Sequence, residues 1–382
     1  MPDRYQGYDI VLFDRHATST LAKHLTALED AHLRDFALPA QLRSAGRYLN
    51  NQTGRGLDWR VQYKIHSVTA NTGANKRQFA PANLWKLAAL PDRGYQVTDS
   101  ISRLEILQNK GKEAIATIFQ GFVERMIESL EQVLAKQYYI DGSLAANVDF
   151  WHGLQTLHGT NGTLNVATGV QRAANQADLV AYPSATYATL ATELGTYGGA
   201  QHAGAIWPDG DCDPQYDFWA PICVVGNSTA FAGAGNVWRT QGDEALRYAI
   251  THASKAGGKS KRPTTVLLAR GMYNDLKNLV AAKEEIQVTD ENSLRALGFR
   301  DVIVIDGTEV TYENGVPAGY GYGLAYMNCQ VRSLFRGLID QEGPQYFLED
   351  QAHKAVVSVL GNIKWKSPRN FFQVVDVHTK YD

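Results

Sequence analysis

The stretch that decides the fold is Asn109–Asp141, NKGKEAIATIFQGFVERMIESLEQVLAKQYYID. Its apolar residues recur at steps of three and four, which predicts one long amphipathic helix. The apolar stripe is formed by Ile115, Ile118, Phe122, Met126, Leu130, Val133 and Leu134. Asn109 can cap the start and Asp141-Gly142 can end the helix, although the capping box Ser102–Glu105 offers an earlier start. A helix of about 30 residues is about 45 Å long, so we expect a sheet or another layer to cover its stripe.

Length and composition limit the class of protein. A chain of 382 residues is expected to form two or three compact units. A net charge of −2 argues against a nucleic-acid-binding protein, which normally carries a basic excess. Cys212, Cys223 and Cys329 are widely spaced and indicate neither a disulfide framework nor a zinc site. We find neither a secretory signal nor a stretch of the roughly 20 apolar residues that a membrane span needs, so we expect assembly in a reducing cytoplasm.

Two segments precede the long helix. Residues 1–45 form an N-terminal arm, in which Ser19–Leu38 has a helical pattern and Pro39 lies near the end of that helix. Residues 46–94 form an extended β-hairpin. In its first strand, Trp59–His66, apolar and polar side chains alternate strictly. Asn71–Asn75 is the predicted turn, and Lys76–Phe79 starts the return strand.

The predicted hairpin lacks a supporting sheet next to it in the sequence. A two-stranded hairpin alone in water is marginally stable. We therefore infer that the apolar face with Trp59, Val61 and Tyr63 is buried only on association, against a neighbouring subunit. The alternative is a hairpin folded back on its own domain.

The remainder of the chain mixes helices and strands, which predicts an α+β fold. Predicted helices are Pro183–Leu194, Asp243–Ala256 and Gly271–Ala282. Predicted strands are Thr264–Ala269, Val302–Ile305 (followed by an Asp306-Gly307 turn), Tyr322–Met327, Val331–Phe335, Ala355–Val359, Asn362–Trp365 and Phe371–Val377. We expect the terminal strands to return to the long helix.

The motifs that could carry chemistry each fail on a specific point. Gly257–Ser260 ends like a phosphate-binding loop but follows a helix instead of a strand. Asp209–Asp213 resembles the opening of a calcium loop, but Pro214 replaces the required glycine. His152 and His158 lie in one apolar turn, where partly buried, hydrogen-bonded histidines are the main interpretation and a catalytic pair is the alternative. We therefore predict no catalytic, cofactor-binding or metal-binding residue, and not an enzyme.

The order of the elements resembles that of the major capsid proteins of tailed bacteriophages, a fold shared with encapsulins and the herpesvirus capsid floor. The resemblance covers nearly the whole chain, from the arm and hairpin through the long helix to the terminal strands. Its particular residues are Tyr139–Gly142, Gly153–Leu157, Thr264–Ala269 with Met272–Leu276, and Lys364–Val377.

The resemblance implies a domain organisation. Residues 1–45 are then the N-terminal arm, and residues 46–94 an extended loop that lies across a neighbouring subunit. Residues 95–241 and 336–382 form a peripheral domain with helix 109–141 as its spine, and 242–335 an axial α/β domain at the five- and six-fold centres. Pro368–Asn370 lies near a three-fold contact. The predicted subunit-interface residues are Trp59, Val61, Tyr63, Lys64, Lys76, Arg77, Pro368, Arg369 and Asn370.

The resemblance also implies a function. The protein would self-assemble through pentamers and hexamers into an icosahedral shell, with a scaffolding protein and a portal as partners. Near-neutral charge suits a wall that encloses double-stranded DNA without recognising its sequence. The shell would be located in the virion and assembled in the host cytoplasm. The alternatives are an encapsulin-type compartment and, in a different class, an α+β hydrolase or transferase that uses His152 and His158.

Overall fold

Within the described residues, the fold consists of a seven-stranded and a five-stranded β-sheet, two short hairpins and several helices. A computed structural model describes residues 36–62, 84–108, 132–158, 221–225, 238–254, 262–282 and 301–376, with shorter pieces at 121, 125–126, 129–130, 180–181, 186–191 and 297. The helices are α1 (Ala37–Ser44), α2 (Arg103–Gln108), α3 (Leu154–His158), α4 (Trp238–Ala253) and α5 (Arg270–Ala282). The strands are β1 (Tyr48–Leu49), β2 (Leu57–Gln62), β3 (Trp85–Leu90), β4 (Arg93–Ser102), β5 (Val180–Ala181), β6 (Thr186–Tyr187), β7 (Leu190–Ala191), β8 (Ile222–Val225), β9 (Thr265–Leu268), β10 (Ile303–Ile305), β11 (Thr308–Tyr312), β12 (Tyr320–Leu324), β13 (Cys329–Ser333), β14 (Asp340–Phe347), β15 (Ala352–Trp365) and β16 (Phe372–Val375).

The larger sheet is mixed and, within the described residues, has seven strands in the order β10-β11-β9-β12-β16-β8-β5. Strand β9 lies inside it and is buried at every position. The Asp306-Gly307 turn joins β10 to β11, and both residues have positive φ, 49° and 72°. The first turn of α4 is tied to this layer, since the Trp238 N–H donates to Asp376 Oδ2 at 2.7 Å. The predicted helix 271–282 and strands 264–269 and 302–305 are thus confirmed with small shifts of their ends.

The second sheet is organised around β15, which pairs antiparallel with β4, β13 and β14. Its inward side chains, such as Ile101, Val357 and Val359, are buried. Two strands, Ala355–Val359 and Asn362–Trp365, were predicted where β15 is continuous across Gly361. Gly361 lies inside the sheet and pairs with both Arg93 and Ser333. Glycine is required there, since a Cβ would overlap the Arg332 carbonyl oxygen.

The long helix is described only in part. Residues 132–137 are helical, as are 121, 125–126 and 129–130. Met126, Leu130 and Leu134 of the predicted stripe are buried, whereas Val133 is exposed. Helical residues end at 137, before the predicted Asp141, because a tight turn follows in which the Tyr139 N–H donates to the Lys136 carbonyl. The predicted start at Asn109 lies outside the described residues.

Two local predictions are wrong. The range Pro183–Leu194 was predicted to be helical, but its described part is the β6–β7 hairpin, turned at Ala188 and Thr189 with φ of 51° and 68°. Tertiary packing overrides the helical pattern, since Tyr187 is fully buried and its hydroxyl accepts the Trp365 N–H at 2.9 Å. Pro39 lies in the first turn of α1 instead of near the end of a helix, and residues 19–35 of the predicted helix Ser19–Leu38 lie outside the described residues. Proline fits there because the first N–H groups of a helix have no intrahelical partner.

The return to the long helix stays a prediction for the terminal strand β16. It lies in the seven-stranded sheet, antiparallel to β12 and parallel to β8. The predicted axial range, 242–335, therefore does not coincide with this sheet, which includes residues 222–225 and 372–375. The division into arm, loop, peripheral and axial domains stays a prediction.

Candidate assembly surface

The β2–β3 hairpin carries the candidate surface. Leu57 pairs with Leu90 and Gln62 with Trp85, so the strands form a regular antiparallel ladder. One face, here called the inner face, is buried and consists of Leu57, Trp59, Val61, Ala88 and Leu90. The alternation predicted for the first strand is therefore confirmed over residues 57–62. The predicted turn at 71–75 and return strand at 76–79 lie outside the described residues.

The inner face packs against the same chain. The Trp59 side chain is 7% exposed, and its ring lies 6.2 Å from that of Tyr187. The Lys364 ammonium lies 4.8 Å from the Trp59 ring centroid. The Ala89 N–H donates to the Ala188 carbonyl at 3.1 Å. The prediction that Trp59 and Val61 are buried only on association is therefore wrong, since both are buried within the single chain, Trp59 beside Tyr187 and Lys364, which are distant in sequence.

The opposite face of the hairpin, the outer face, exposes two large apolar side chains. Trp85 is 51% exposed and Leu87 is 58% exposed. Their cross-strand neighbours are Gln62 and Arg60. Large apolar side chains that stand next to each other in solvent mark an interaction surface more often than single ones do. Sequence reasoning missed this pair, although the alternation in Trp85-Lys86-Leu87 could have revealed it.

The other predicted interface residues divide into three groups. Tyr63, Lys64, Lys76 and Arg77 lie outside the described residues. Pro368 and Asn370 are buried in a 3₁₀ turn, where the Asn370 amide Nδ2 donates to Ser367 Oγ at 3.0 Å. These two side chains therefore form no exposed surface on this chain. Arg369 is half-buried, and its interface role stays a prediction.

A second group of exposed apolar side chains lies at one end of the five-stranded sheet around β15. Leu104, Phe347 and Leu348 are exposed by 65%, 45% and 81%. They lie on or just beyond the ends of β14 and β4, which flank the same end of β15, because Ala352 pairs with both Phe347 and Ser102. This group is a further candidate contact.

The two histidines of the enzymatic alternative are enclosed. His158 is fully buried, and its Nδ1 lies 3.7 Å from Cys223 Sγ. Burial lowers the pKa of His158 to about 3. Burial and, secondly, the Arg93 charge lower the pKa of His152 to about 4. Burial also raises the pKa of the Cys223 thiol. A neutral thiol beside a buried neutral imidazole is a packing arrangement. Both histidines are buried, but the predicted hydrogen bonding is incomplete, because His152 Nδ1 and His158 Nε2 have no hydrogen-bond partner among the described residues.

The His158 environment predicts an acid-sensitive subunit. The folded pKa of about 3 lies below the ordinary 6.5, so the stability from a neutral His158 is present above pH 6.5 and is lost as the pH falls. At pH 5 the loss from this group is about 2 kcal/mol. We expect His158→Gln to remove this pH-dependent loss. The free energy of unfolding of the variant should then fall less between pH 7 and pH 5 than that of the original protein. Urea titrations at both pH values test this, and equal falls in the two proteins would contradict it.

Glu313 links the α1 helix to the body. The Leu38 N–H donates to Glu313 Oε2 at 3.0 Å, and α1 has no side-chain cap of its own. Burial outweighs the backbone N–H groups of Leu38 and Ala37 and the Tyr139 hydroxyl, and it raises the Glu313 pKa to about 7. The carboxyl therefore holds its proton up to near-neutral pH.

The same group predicts a second pH dependence, of opposite sign. The folded pKa of about 7 exceeds the ordinary 4.5, so the stability from protonated Glu313 is complete below pH 4.5 and is lost as the pH rises through 7. The loss by pH 8 is about 3 kcal/mol. We expect Glu313→Gln, which keeps one acceptor oxygen, to be more stable than the original protein at pH 8 by about that amount. Unfolding curves of both proteins at pH 4.5 and pH 8 measure this gain in stability. A stability difference between variant and original protein that is the same at both pH values would contradict the prediction.

Within the described residues, no group of three or more His, Cys, Asp or Glu side chains could hold a metal ion. No helix in the described part of the chain is long and apolar enough to cross a membrane. The Asp209–Asp213 and Gly257–Ser260 stretches lie outside the described residues.

Comparison with known proteins defines the fold. No protein-family model and no curated protein sequence match the chain. Among solved structures it matches the cyanophage A-1(L) capsid asymmetric unit, with a TM-score of 0.54, 15% identity, and coverage of 90% of this chain and 93% of that chain. It also matches the capsid of the native GTA particle (TM-score 0.49, 12% identity, 89% and 90% covered). A third match is the capsid of Myoviridae phage XM1 (TM-score 0.47, 11% identity, 88% and 92% covered).

The chain therefore has the fold of a bacteriophage capsid protein. It shares this fold with a chain of the cyanophage A-1(L) capsid over nearly the whole of both chains. The predicted α+β class and capsid fold are confirmed. Because one fold hosts different functions, what the protein does is a separate inference.

Proposed function

We propose that the protein is a major capsid protein that self-assembles into the icosahedral shell enclosing a phage genome. The observation that carries this proposal is the likeness in fold to the cyanophage A-1(L) capsid along 90% of the chain. The role is structural and not enzymatic. The closed environment of His152 and His158 supports that choice over the hydrolase or transferase alternative.

The outer face of the hairpin is covered by a second copy of the chain in this proposal. Trp85 and Leu87 supply its apolar centre, with Arg60 beside them. The predicted loop residues Tyr63, Lys64, Lys76 and Arg77 extend the same contact, and Arg369 contributes elsewhere. When one face of a copy contacts a different face of the next copy, the copies form a closed ring if the rotation between neighbouring copies permits it. Many such contacts in one particle add up to a stable shell.

The domain roles follow from the same proposal. The segment 109–141 is the spine helix of the peripheral domain, and the predicted axial domain lines the centres of pentamers and hexamers. The partners are other copies of the chain, a scaffolding protein, a portal and double-stranded DNA held without sequence recognition. The net charge of −2 fits a wall that does not grip DNA. The protein resides in the virion after assembly in the host cytoplasm.

The content of purified particles tests this proposal against the compartment alternative. We expect particles from the native source to protect double-stranded DNA from added nuclease. An enzyme as the enclosed cargo, with no protected DNA, would favour an encapsulin-type compartment. A monomeric protein that turns over a substrate and loses activity in the His152→Asn variant would overturn both.

A further inference from the structure

The two ends of the β2–β3 hairpin lie side by side where they join the body of the subunit. Residues 54–56 lead into β2, and residues 91–92 leave β3. At this junction a Cβ on Gly56 would lie 2.6 Å from the Leu90 carbonyl oxygen. The chain is thus in close contact with itself at the base of the hairpin, and a small change there would alter the direction of both strands.

Arg332 of β13 holds both ends of the hairpin. Its guanidinium Nη2 donates to the Gly54 carbonyl at 2.9 Å, and Nη1 donates to the Gly56 carbonyl. On the returning side, Nη2 lies 3.6 Å from Asp92 Oδ2. The Arg332 side chain is 4% exposed, so these interactions are shielded from water.

Asn362 holds the returning end from the next strand. Its amide Nδ2 donates to the Pro91 carbonyl at 2.8 Å. Its Oδ1 accepts the backbone N–H groups of His152 at 3.0 Å and Ile363 at 2.8 Å, which fixes the orientation of the amide. Arg332 and Asn362 are direct cross-strand partners in the β13–β15 ladder. Two paired residues of neighbouring strands in the sheet therefore hold both ends of the hairpin.

A contribution to stability does not account for this arrangement. Taking a charge pair out of water costs about as much free energy as the attraction returns, and apolar residues of similar volume often serve stability as well. At Asp92 the cost of burial exceeds the attraction of Arg332, since burial raises the pKa of this carboxyl despite the guanidinium. The five directed N–H groups of arginine, by contrast, fix geometry.

We infer that Arg332 and Asn362 form a clamp that sets the direction in which the hairpin leaves the body of the subunit. The inference deepens the proposed function, on which its consequence rests: the clamp then sets the angle at which the outer face meets a second copy. Arg332 is a positioning residue in this account, because it acts through the hairpin and not by contact with the neighbour.

Spin labels on the unassembled subunit test the clamp directly. Cysteines replace the exposed Asp58 on β2 and Ser100 on β4 in a Cys212→Ser background, and Cys223 and Cys329 are buried. Pulsed electron spin resonance then measures the distance between hairpin and body. We expect one narrow distance peak for the original clamp. We expect Arg332→Lys, which keeps the charge but loses the fork to two carbonyls, to broaden or shift that peak.

Three variants separate positioning from folding. Asp92→Asn is isosteric, is expected to fold, and should broaden the peak less than Arg332→Lys. Asn362→Asp keeps Oδ1 and loses the donor to Pro91, so it should also broaden the peak. Arg336→Lys, at an exposed site on the same segment, is the matched control and should leave it unchanged. A narrow, unshifted peak in folded Arg332→Lys and Asp92→Asn would overturn the clamp. Because this readout needs no assembly, it stands even if the protein forms no shell.

Discussion

Replacing both Trp85 and Leu87 by aspartate is expected to abolish assembly while the subunit stays folded. Both side chains stand more than half exposed on the outer face, so their loss removes little packing inside the chain. Burying such a side chain in a contact contributes about 1.5–3 kcal/mol. An aspartate in its place would enter the contact as an unpaired charge, which is unfavourable by more than that. Because every copy carries the change, the loss recurs at each contact of the particle.

Sedimentation velocity, with circular dichroism melting on the same samples, measures this result. The matched control is Thr98→Asp with Ser100→Asp. Both residues are exposed on the polar face of β4, a strand that does not belong to the β2–β3 hairpin. We expect the control to assemble and the outer-face variant to sediment as small species with an unchanged melting temperature. Normal particles from the outer-face variant would contradict the proposal that this face is an assembly contact.

Replacing Trp59 by alanine is expected to act on the fold itself. Trp59 lies on the same hairpin as Trp85 but points inward, where it contacts Tyr187 and the Lys364 ammonium. Removal of a buried tryptophan side chain costs about 3–5 kcal/mol, because a cavity remains where packing cannot relax fully. Trp85→Ala, made on the opposite face, should change the free energy of unfolding far less.

Urea unfolding of the unassembled subunit compares the two tryptophan variants. The expected order is a large loss for Trp59→Ala and a small one for Trp85→Ala. The reverse order would mean that the inner face is free and the outer face is covered by the same chain. Equal stability of Trp59→Ala and the original protein would restore the view that Trp59 is buried only on association.

Periodicity predicted those elements whose partners are close in sequence or whose pattern is strong. Met126, Leu130 and Leu134 repeat at helical spacing and are buried as expected. The Asp306-Gly307 turn was predicted because both residues readily adopt positive φ, and it joins two strands that pair directly.

Pairings over long sequence distances were not predictable from local pattern. The PSATYATLATEL stretch has a helical pattern, yet the Tyr187 hydroxyl accepts a hydrogen bond from Trp365, 178 residues away, and its described part forms a hairpin. The same limit explains the error at the hairpin. Its inner face showed clear alternation, but only the folded chain brings Ala188 and Lys364 beside it.

The sequence interpretation and the structure both point to the hairpin as the candidate surface, but to different side chains, and its role in assembly stays a prediction. The hairpin was chosen for an apolar face without support in the chain, whereas that face, with Trp59 and Val61, is buried within the same chain. Pattern alone cannot tell which face of a two-stranded ladder is covered, because both faces alternate with the same period. The alternation of Trp85 and Leu87 with Lys86 is visible in the sequence, but their exposure is known only from the folded subunit.

Electron microscopy of the purified protein in negative stain tests the central claim most directly. The protein is concentrated stepwise, alone and after co-expression with a scaffolding protein and a portal from the same genome. It is imaged at each step. The account predicts closed, roughly spherical shells of uniform diameter, with pentameric or hexameric rings as smaller species. A folded protein that remains monomeric at every concentration and in every co-expression would contradict it.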